Sequence, residues 1–230
     1  MKRVLVLMHG YDIPAGYLGD VLADGGVPTE TVPLYAGATI PDHLDWSAVV
    51  SLGGLMGAYE EERYSYLREE KRYLRDAVAA DVPVLGICLG CQLLADTLGG
   101  RAYRAPESEM IVDTVSLTPL GAEDAVVSEL EGPTLSWHQD TWDLPPDGDL
   151  LAETRYPQAF RKGSALGIQA HPEVSPEIVN GWMDHWGREW LAERGHDADE
   201  LLSAVETSRD ESERVGRDVF EAWVAEILSR

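Results

Sequence analysis

Through its first hundred residues the chain alternates short, continuous apolar runs with segments whose apolar residues recur at helical spacing. Lys2 to His9 (KRVLVLMH) is such a run, ended by Gly10, and predicts a strand buried on both faces of a parallel sheet. A helix is expected near Gly16 to Gly25, a second strand over Val27 to Pro33, and a third over Trp46 to Leu52 that runs into Gly53-Gly54. Between Glu60 and Ala80, the residues Tyr66, Leu67, Tyr73, Leu74, Ala77 and Val78 are spaced among charges as on an amphipathic helix. Pro83 to Ile87 follows as another buried strand, with Cys88 at its end, and Leu89 to Leu98 reads as a helix closed by Gly99-Gly100.

This βαβ rhythm predicts an α/β fold with a central, mostly parallel sheet and helices on both faces. Further along, Met110 to Leu117, the vicinity of Leu135 and Leu150-Leu151 look like short antiparallel or mixed strands, a small mixed sheet. Leu166 to Ala170 is a last buried strand leading into His171-Pro172-Glu173. Helices are expected over about Pro176 to Arg194 and Asp199 to Ser229, separated by Gly195-His196-Asp197. No repeat, low-complexity linker or strong boundary appears, so residues 1–230 read as one domain with a helical C-terminal extension from about residue 176. In that extension Trp182, Trp186 and Trp190 put three indoles along one helix face, a stripe suited to core packing, a homodimer interface or a docking surface.

Charge narrows the partners. Against 41 Asp and Glu stand 18 Lys and Arg, a formal net charge of −23, and only Lys2, Lys71 and Lys162 are lysines. Such a surface repels nucleic-acid backbone and anionic membrane. The acids are spread along the whole chain, which fits a halophilic surface adapted to a salty cytoplasm better than an acidic tail. Stability is then expected to rise toward molar KCl in a thermal melt, and greatest stability at low salt would refute the idea. The two cysteines cannot make a disulfide framework and no charged-then-apolar leader precedes the first strand, so reducing cytoplasm is the expected compartment. No apolar run approaches the ~18 residues of a membrane span.

The candidate chemistry centres on Gly86-Ile87-Cys88-Leu89-Gly90: strand, sharp turn and helix start, with glycines two residues either side of a nucleophile. That is the pattern of a nucleophile elbow. A thiol there sits at a helix N-terminus, which favours thiolate, and the Leu89 N–H faces the same space as a candidate oxyanion donor. Cys88-Leu89-Gly90-Cys91 is also formally a CxxC, as in a redox pair or half a zinc site; with no other cysteine a four-thiolate site is impossible, and Cys91 reads as a packing residue. A thiol nucleophile needs a base and the base an orienting acceptor. Among six histidines, His171 ends a buried strand and has Glu173 two positions on, across a proline; His138, with Asp140 nearby, is the alternative base. Glu107 and Glu109 read either as site acids or as a solvated acidic loop.

These residues resemble the class I (triad) glutamine amidotransferase family. The match rests on Gly53-Gly54 followed by Met56-Gly57, on GICLGCQ at Gly86 to Gln92 and on GIQAHPE at Gly167 to Glu173, and covers about Lys2 to Val174. The resemblance implies a flavodoxin-like fold, Cys88 as nucleophile, His171 as base, Glu173 as its orienting acid, Gly54 and Leu89 as oxyanion-hole amides, and Gln92 and Gly53 on the substrate. Trp137-His138-Gln139-Asp140 is similar to the WHxD element of a stand-alone subgroup related to the amidotransferase domain of GMP synthase, and places Trp137 and His138 beside the γ-glutamyl substrate. Leu55, where many members have proline, and Ala170, where an aromatic usually precedes HPE, depart from the pattern without touching a reacting group.

The activity so implied is hydrolysis of the glutamine side-chain amide through a γ-glutamyl thioester, with no metal and no cofactor. A P-loop GxxxxGK[ST] is absent, so ammonia would pass to a separate ATP-using synthetase. The alternatives are a stand-alone γ-glutamyl hydrolase or peptidase and a non-catalytic regulatory protein of the same fold.

Overall fold

The computed structural model describes residues 3–230, which leaves Lys2 of the first expected strand outside the described residues. The chain runs β1 (Val4–Met8), α1 (Gly16–Asp24), β2 (Thr29–Pro33), β3 (Ala48–Ser51), α2 (Tyr66–Ala79), β4 (Val84–Ile87) and α3 (Leu89–Thr97). Then come β5 (Arg101–Thr114), β6 (Ser116–Leu117), α4 (Pro119–Glu123), β7 (Pro133–Asp143), β8 (Asp149–Glu153), β9 (Pro157–Lys162) and β10 (Ala165–Ile168). Four helices follow: α5 (Pro176–Trp182), α6 (Arg188–Ala192), α7 (Ala198–Thr207) and α8 (Arg209–Leu228).

One eight-stranded sheet has the order β2-β1-β3-β4-β10-β9-β8-β6. Its first five strands are parallel and the rest antiparallel. The small second sheet is the antiparallel ribbon β5-β7. Period-two alternation divides the parallel strands between two cores. Val4 and Val6, Val50, Ile87 and Ile168 face α1 and α8, whereas Leu5 and Leu7, Val49 and Val84 face α2 and α3. From α8, Val215, Val219, Phe220, Trp223 and Ile227 are buried in the first of these cores.

The elbow glycines are set by close approach. A β-carbon on Gly86 would lie 2.4 Å from the Gly90 carbonyl oxygen, and one on Gly90 would lie 2.0 Å from that of Ser51. Strand β3 and helix α3 therefore touch backbone to backbone beside Cys88. Gly90→Ala is expected to destabilise by about 3 kcal/mol, the upper end for overpacking. Gly181→Ala on α5, where an added methyl meets nothing within 4 Å, should gain up to about 1 kcal/mol of helix propensity. Melting both variants checks the pair, and equal midpoints would contradict the packing argument.

Several boundaries differ from those expected. Helix α2 starts at Tyr66, not Glu60, because Glu60 is used in a turn: its carboxylate accepts from the Gly57 N–H at 2.8 Å. Strand β5 begins at Arg101, nine residues before Met110; its first half is polar and carries an irregularity between Arg104 and Glu109, which hides the alternation. The helix expected over Pro176 to Arg194 is interrupted by a π-turn at Met183–Gly187, and the one over Asp199 to Ser229 breaks at Ser208.

Candidate active site

Three elements end at one point. Cys88 follows β4 and caps α3 with φ 52° and ψ −104°, a conformation costly for any residue with a β-carbon. The surroundings impose it: the Cys88 N–H donates to the Ile168 carbonyl at 2.9 Å, and its own carbonyl accepts from Gln92 N–H at 3.1 Å. His171, just past β10, is tied back to β7 by its N–H to the Leu135 carbonyl at 2.8 Å. Glu173 is fixed where its carbonyl accepts from Tyr17 N–H at the start of α1, at 2.9 Å.

The structure thus brings Cys88, His171 and Glu173 together. His171 Nδ1 lies 2.8 Å from Glu173 Oε1, and the Cys88 side chain stands beside the same ring, both bordering Gly53. All three are nearly excluded from solvent. Burial lowers the basicity of His171, yet the charges and hydrogen bonds of Glu173 and Cys88 outweigh it and hold the imidazole well above its usual range. Cys91 is fully buried in the core against α2, and burial raises its thiol well above the ordinary value, in keeping with packing and against a redox pair.

Around the thiol lie Gly54, Leu55, Met56, Gln92, Trp137, His138, Gln139, Asp140 and Trp190, lining a pocket of about 50 Å³. Gly53 stands between Ile13, His171 and Cys88, where a β-carbon would come within 3.3 Å of the imidazole. Among the described residues no hydrogen bond reaches the N–H of Gly54 or of Leu89. Gln92 Nε2 donates to the Asp140 carbonyl at 3.3 Å and to Gln169 Oε1 at 3.1 Å, which anchors strand β7, carrying His138 and Asp140, to α3. Asp140 is raised above the usual carboxyl range by burial, despite a hydrogen bond from Tyr59.

Two expected residues line the pocket in ways spacing did not reveal. His138 is engaged on both nitrogens, by the Asp140 carbonyl at 2.9 Å and by Glu109 Oε2 at 3.0 Å. Glu109 is no solvated loop residue: Thr154 and Gln158 also donate to it, and despite burial its pairing with His138, helped by Thr154, holds its carboxyl low. Glu107 is exposed and pairs with Arg155. Trp137 packs edge-on against Trp182 and Trp186, each at 5.5 Å, and Trp182 in turn lies edge-on to His171 at 5.4 Å. The indole stripe therefore supports the imidazole from behind.

Sequence reasoning missed a second buried pair, His9 with Glu70, below the Gly53-Gly54 loop. A histidine ending a buried strand was the available signal. Among the described residues no group of three or more His, Cys, Asp or Glu side chains gathers as a metal site, and no helix is long and apolar enough to cross a membrane.

A strained thiol at a strand-to-helix turn, beside a carboxylate-held imidazole on a doubly wound sheet, defines an α/β protein of the thiol-elbow class. The chain belongs to the class-I glutamine amidotransferase family, whose sequence profile matches residues 18–180. It is 29% identical over 202 residues to the glutamine amidotransferase-like protein YfeJ of Salmonella typhimurium, covering 84% of each chain. With a glutamine-hydrolyzing GMP synthase subunit of Halobacterium salinarum it shares 33% identity over 152 residues, 63% of this chain and 76% of that one. The chain spans 28% of the length of the GMP synthases of Thermus thermophilus that it matches. A glutamine amidotransferase structure from Thermotoga maritima superposes with a TM-score of 0.86 at 29% identity, covering 97% of this chain and 98% of that one.

Proposed function

We propose that the protein hydrolyses the side-chain amide of glutamine at Cys88 and releases ammonia for a separate acceptor enzyme. The observation that carries this reading is the His171 imidazole held between Glu173 and the Cys88 thiol at a strained elbow. Cys88 attacks the carboxamide carbon, and the N–H groups of Gly54 and Leu89 receive the oxyanion. His171 protonates the departing ammonia, leaving a γ-glutamyl thioester, and then takes a proton from the water that hydrolyses it to glutamate. Kinship with the glutamine-hydrolyzing GMP synthase subunit of Halobacterium salinarum supports an ATP-using synthetase as acceptor. The test is release of ammonia and glutamate from L-glutamine by the purified protein in high-potassium buffer. Turnover identical in Cys88→Ala would refute the reading.

One observation favours a second reading, cleavage of γ-glutamyl compounds that carry a carboxylate on the leaving side. Beyond Gln139 the thiol pocket adjoins a cleft of about 400 Å³ lined by Arg104, Ser108, Arg194, His196 and one acid, Glu107, which pairs with Arg155, while Arg194 also pairs with Glu193 at 3.2 Å. Arg194 donates to Gln139 Oε1 at 3.0 Å and stacks on Trp190, which belongs to the thiol pocket. Arg104 makes no ion pair within 4.0 Å among the described residues, although its charge acts on Asp140 across the ribbon. If the cleft receives that carboxylate, γ-glutamylglycine should be preferred over γ-glutamylglycinamide by roughly tenfold in kcat/KM, a factor worth about 1.4 kcal/mol. Arg104→Gln with Arg194→Gln should erase the preference, read as the ratio of the two kcat/KM values within the same variant; a preference that survives would remove the cleft from the argument.

A further inference from the structure

The His9–Glu70 pair costs free energy to bury, and its contacts say what it holds. His9 Nδ1 lies 3.1 Å from the Gly53 carbonyl oxygen and Nε2 lies 2.8 Å from Glu70 Oε2, while the other Glu70 oxygen accepts from Ser51 Oγ at 2.7 Å. Every one of these side chains is buried, and the Tyr66 ring stacks over the imidazole at 6.2 Å. A carbonyl oxygen only accepts, so Nδ1 must carry hydrogen. That holds whichever of His9 and Glu70 keeps the proton on the Nε2 side. Burial opposes charge on His9, but Glu70 and the hydrogen bonds to the Gly53 and Leu52 backbone raise the imidazole above its ordinary value, and a charged donor makes the stronger bond.

The Gly53 carbonyl and the Gly54 N–H belong to one peptide unit. No described peptide bond is cis, so the two point in opposite directions. The loop runs between the two histidines: a β-carbon on Gly54 would meet His9 Cβ at 3.0 Å, and one on Gly53 would meet His171 Cε1 at 3.3 Å and Cys88 Cβ at 3.7 Å. With the carbonyl drawn to His9, the N–H is turned to the pocket side, where Gly54 and Cys88 share a wall. Glycines on both sides of the peptide bond offer no side chain to resist its rotation, so its orientation must be imposed from outside.

We infer that His9 is a positioning residue: anchored by Glu70, it clamps the Gly53 carbonyl and thereby holds the Gly54 N–H toward the oxygen that develops negative charge when Cys88 attacks. This rests on the reading of Cys88 as the nucleophile. The clamp also polarises the peptide, since a carbonyl that accepts a strong hydrogen bond makes its own N–H a better donor.

The test separates charge stabilisation from folding. In His9→Leu, kcat on glutamine should fall about 100-fold, the lower range for loss of one oxyanion donor, with KM within about threefold of wild type. Alkylation of Cys88 by iodoacetamide, which builds no oxyanion, should keep its wild-type rate. His9→Gln, whose amide N–H can reach the carbonyl, should recover part of the loss, and Glu70→Gln gives a milder version if His9→Leu fails to fold. Wild-type kcat in both His9→Leu and Glu70→Gln, or turnover and alkylation falling in step, would overturn the inference. Should wild-type protein not hydrolyse glutamine, glutamate γ-semialdehyde replaces it, because its thiohemiacetal with Cys88 also places an oxygen in the oxyanion position. Weaker trapping in His9→Leu then supports the clamp and equal trapping overturns it, while the failed hydrolysis counts against the glutaminase reading alone.

Discussion

Cys88→Ala should abolish release of glutamate and ammonia from glutamine, by a factor on the order of 10⁴ or more, as when a nucleophile is removed from a triad. No other described side chain replaces it: the second thiol, Cys91, is fully buried, raised well above the ordinary range, and lies against Gly167 of β10 in the core. Cys91→Ala is therefore the control, with turnover near wild type and a modest loss of stability from a small cavity. The fold of Cys88→Ala should persist, because the elbow is held by backbone bonds from Ile168 and Gln92 and not by the thiol. Relief of the strain stored at φ 52° is not expected, since alanine keeps a β-carbon. Hydrolysis that continues in Cys88→Ala at the wild-type rate would assign the chemistry elsewhere.

The parallel half of the fold was legible because a strand buried on both faces is a nearly continuous apolar run, as β1, β4 and β10 are, and β3 up to its last residue, Ser51. The ribbon β5-β7 was legible only in fragments. Its residues face partly outward, partly the indole cluster and partly a polar network around Glu109, so no single period runs through it. At the site, Cys88, His171 and Glu173 could be read from local pattern, since each lies within a few residues of a buried strand end. The long-range partners could not. Glu70 looks like one more acid on a charged helix, and only the packing of α2 against β1 and β3 turns it inward to His9 and Ser51. For His138 the chain offers Asp140 as the nearby acid, but the carboxylate that engages it is Glu109, across the ribbon at the paired position.

Glu173→Gln should keep the shape of the site and lose most of its rate. Glu173 Oε1 is 2.8 Å from His171 Nδ1 and its Oε2 has no hydrogen-bond partner among the described residues, so the carboxylate's buried charge is directed chiefly at the imidazole. A glutamine there keeps the volume but neither holds the imidazolium nor enforces the tautomer that leaves Nε2 for the thiol. A fall in kcat of roughly 10³ to 10⁴ is expected, as when the orienting acid of a triad is neutralised. Stability supplies an independent readout. His171 in the folded protein is raised well above 6.5 against the opposing effect of burial, so its proton stabilises the fold fully below about pH 6.5 and ceases to do so as pH rises through the raised folded value. With Glu173 neutralised, the largest influence that raises His171 is gone and only Cys88 still opposes burial, so its folded value drops and protonation contributes less to folding than in the wild type. The melting temperature of Glu173→Gln should therefore fall further behind wild type as pH is lowered from alkaline toward 6.5. A gap that stayed constant with pH, or that widened toward alkaline pH, would mean that Glu173 does not hold the charge on His171.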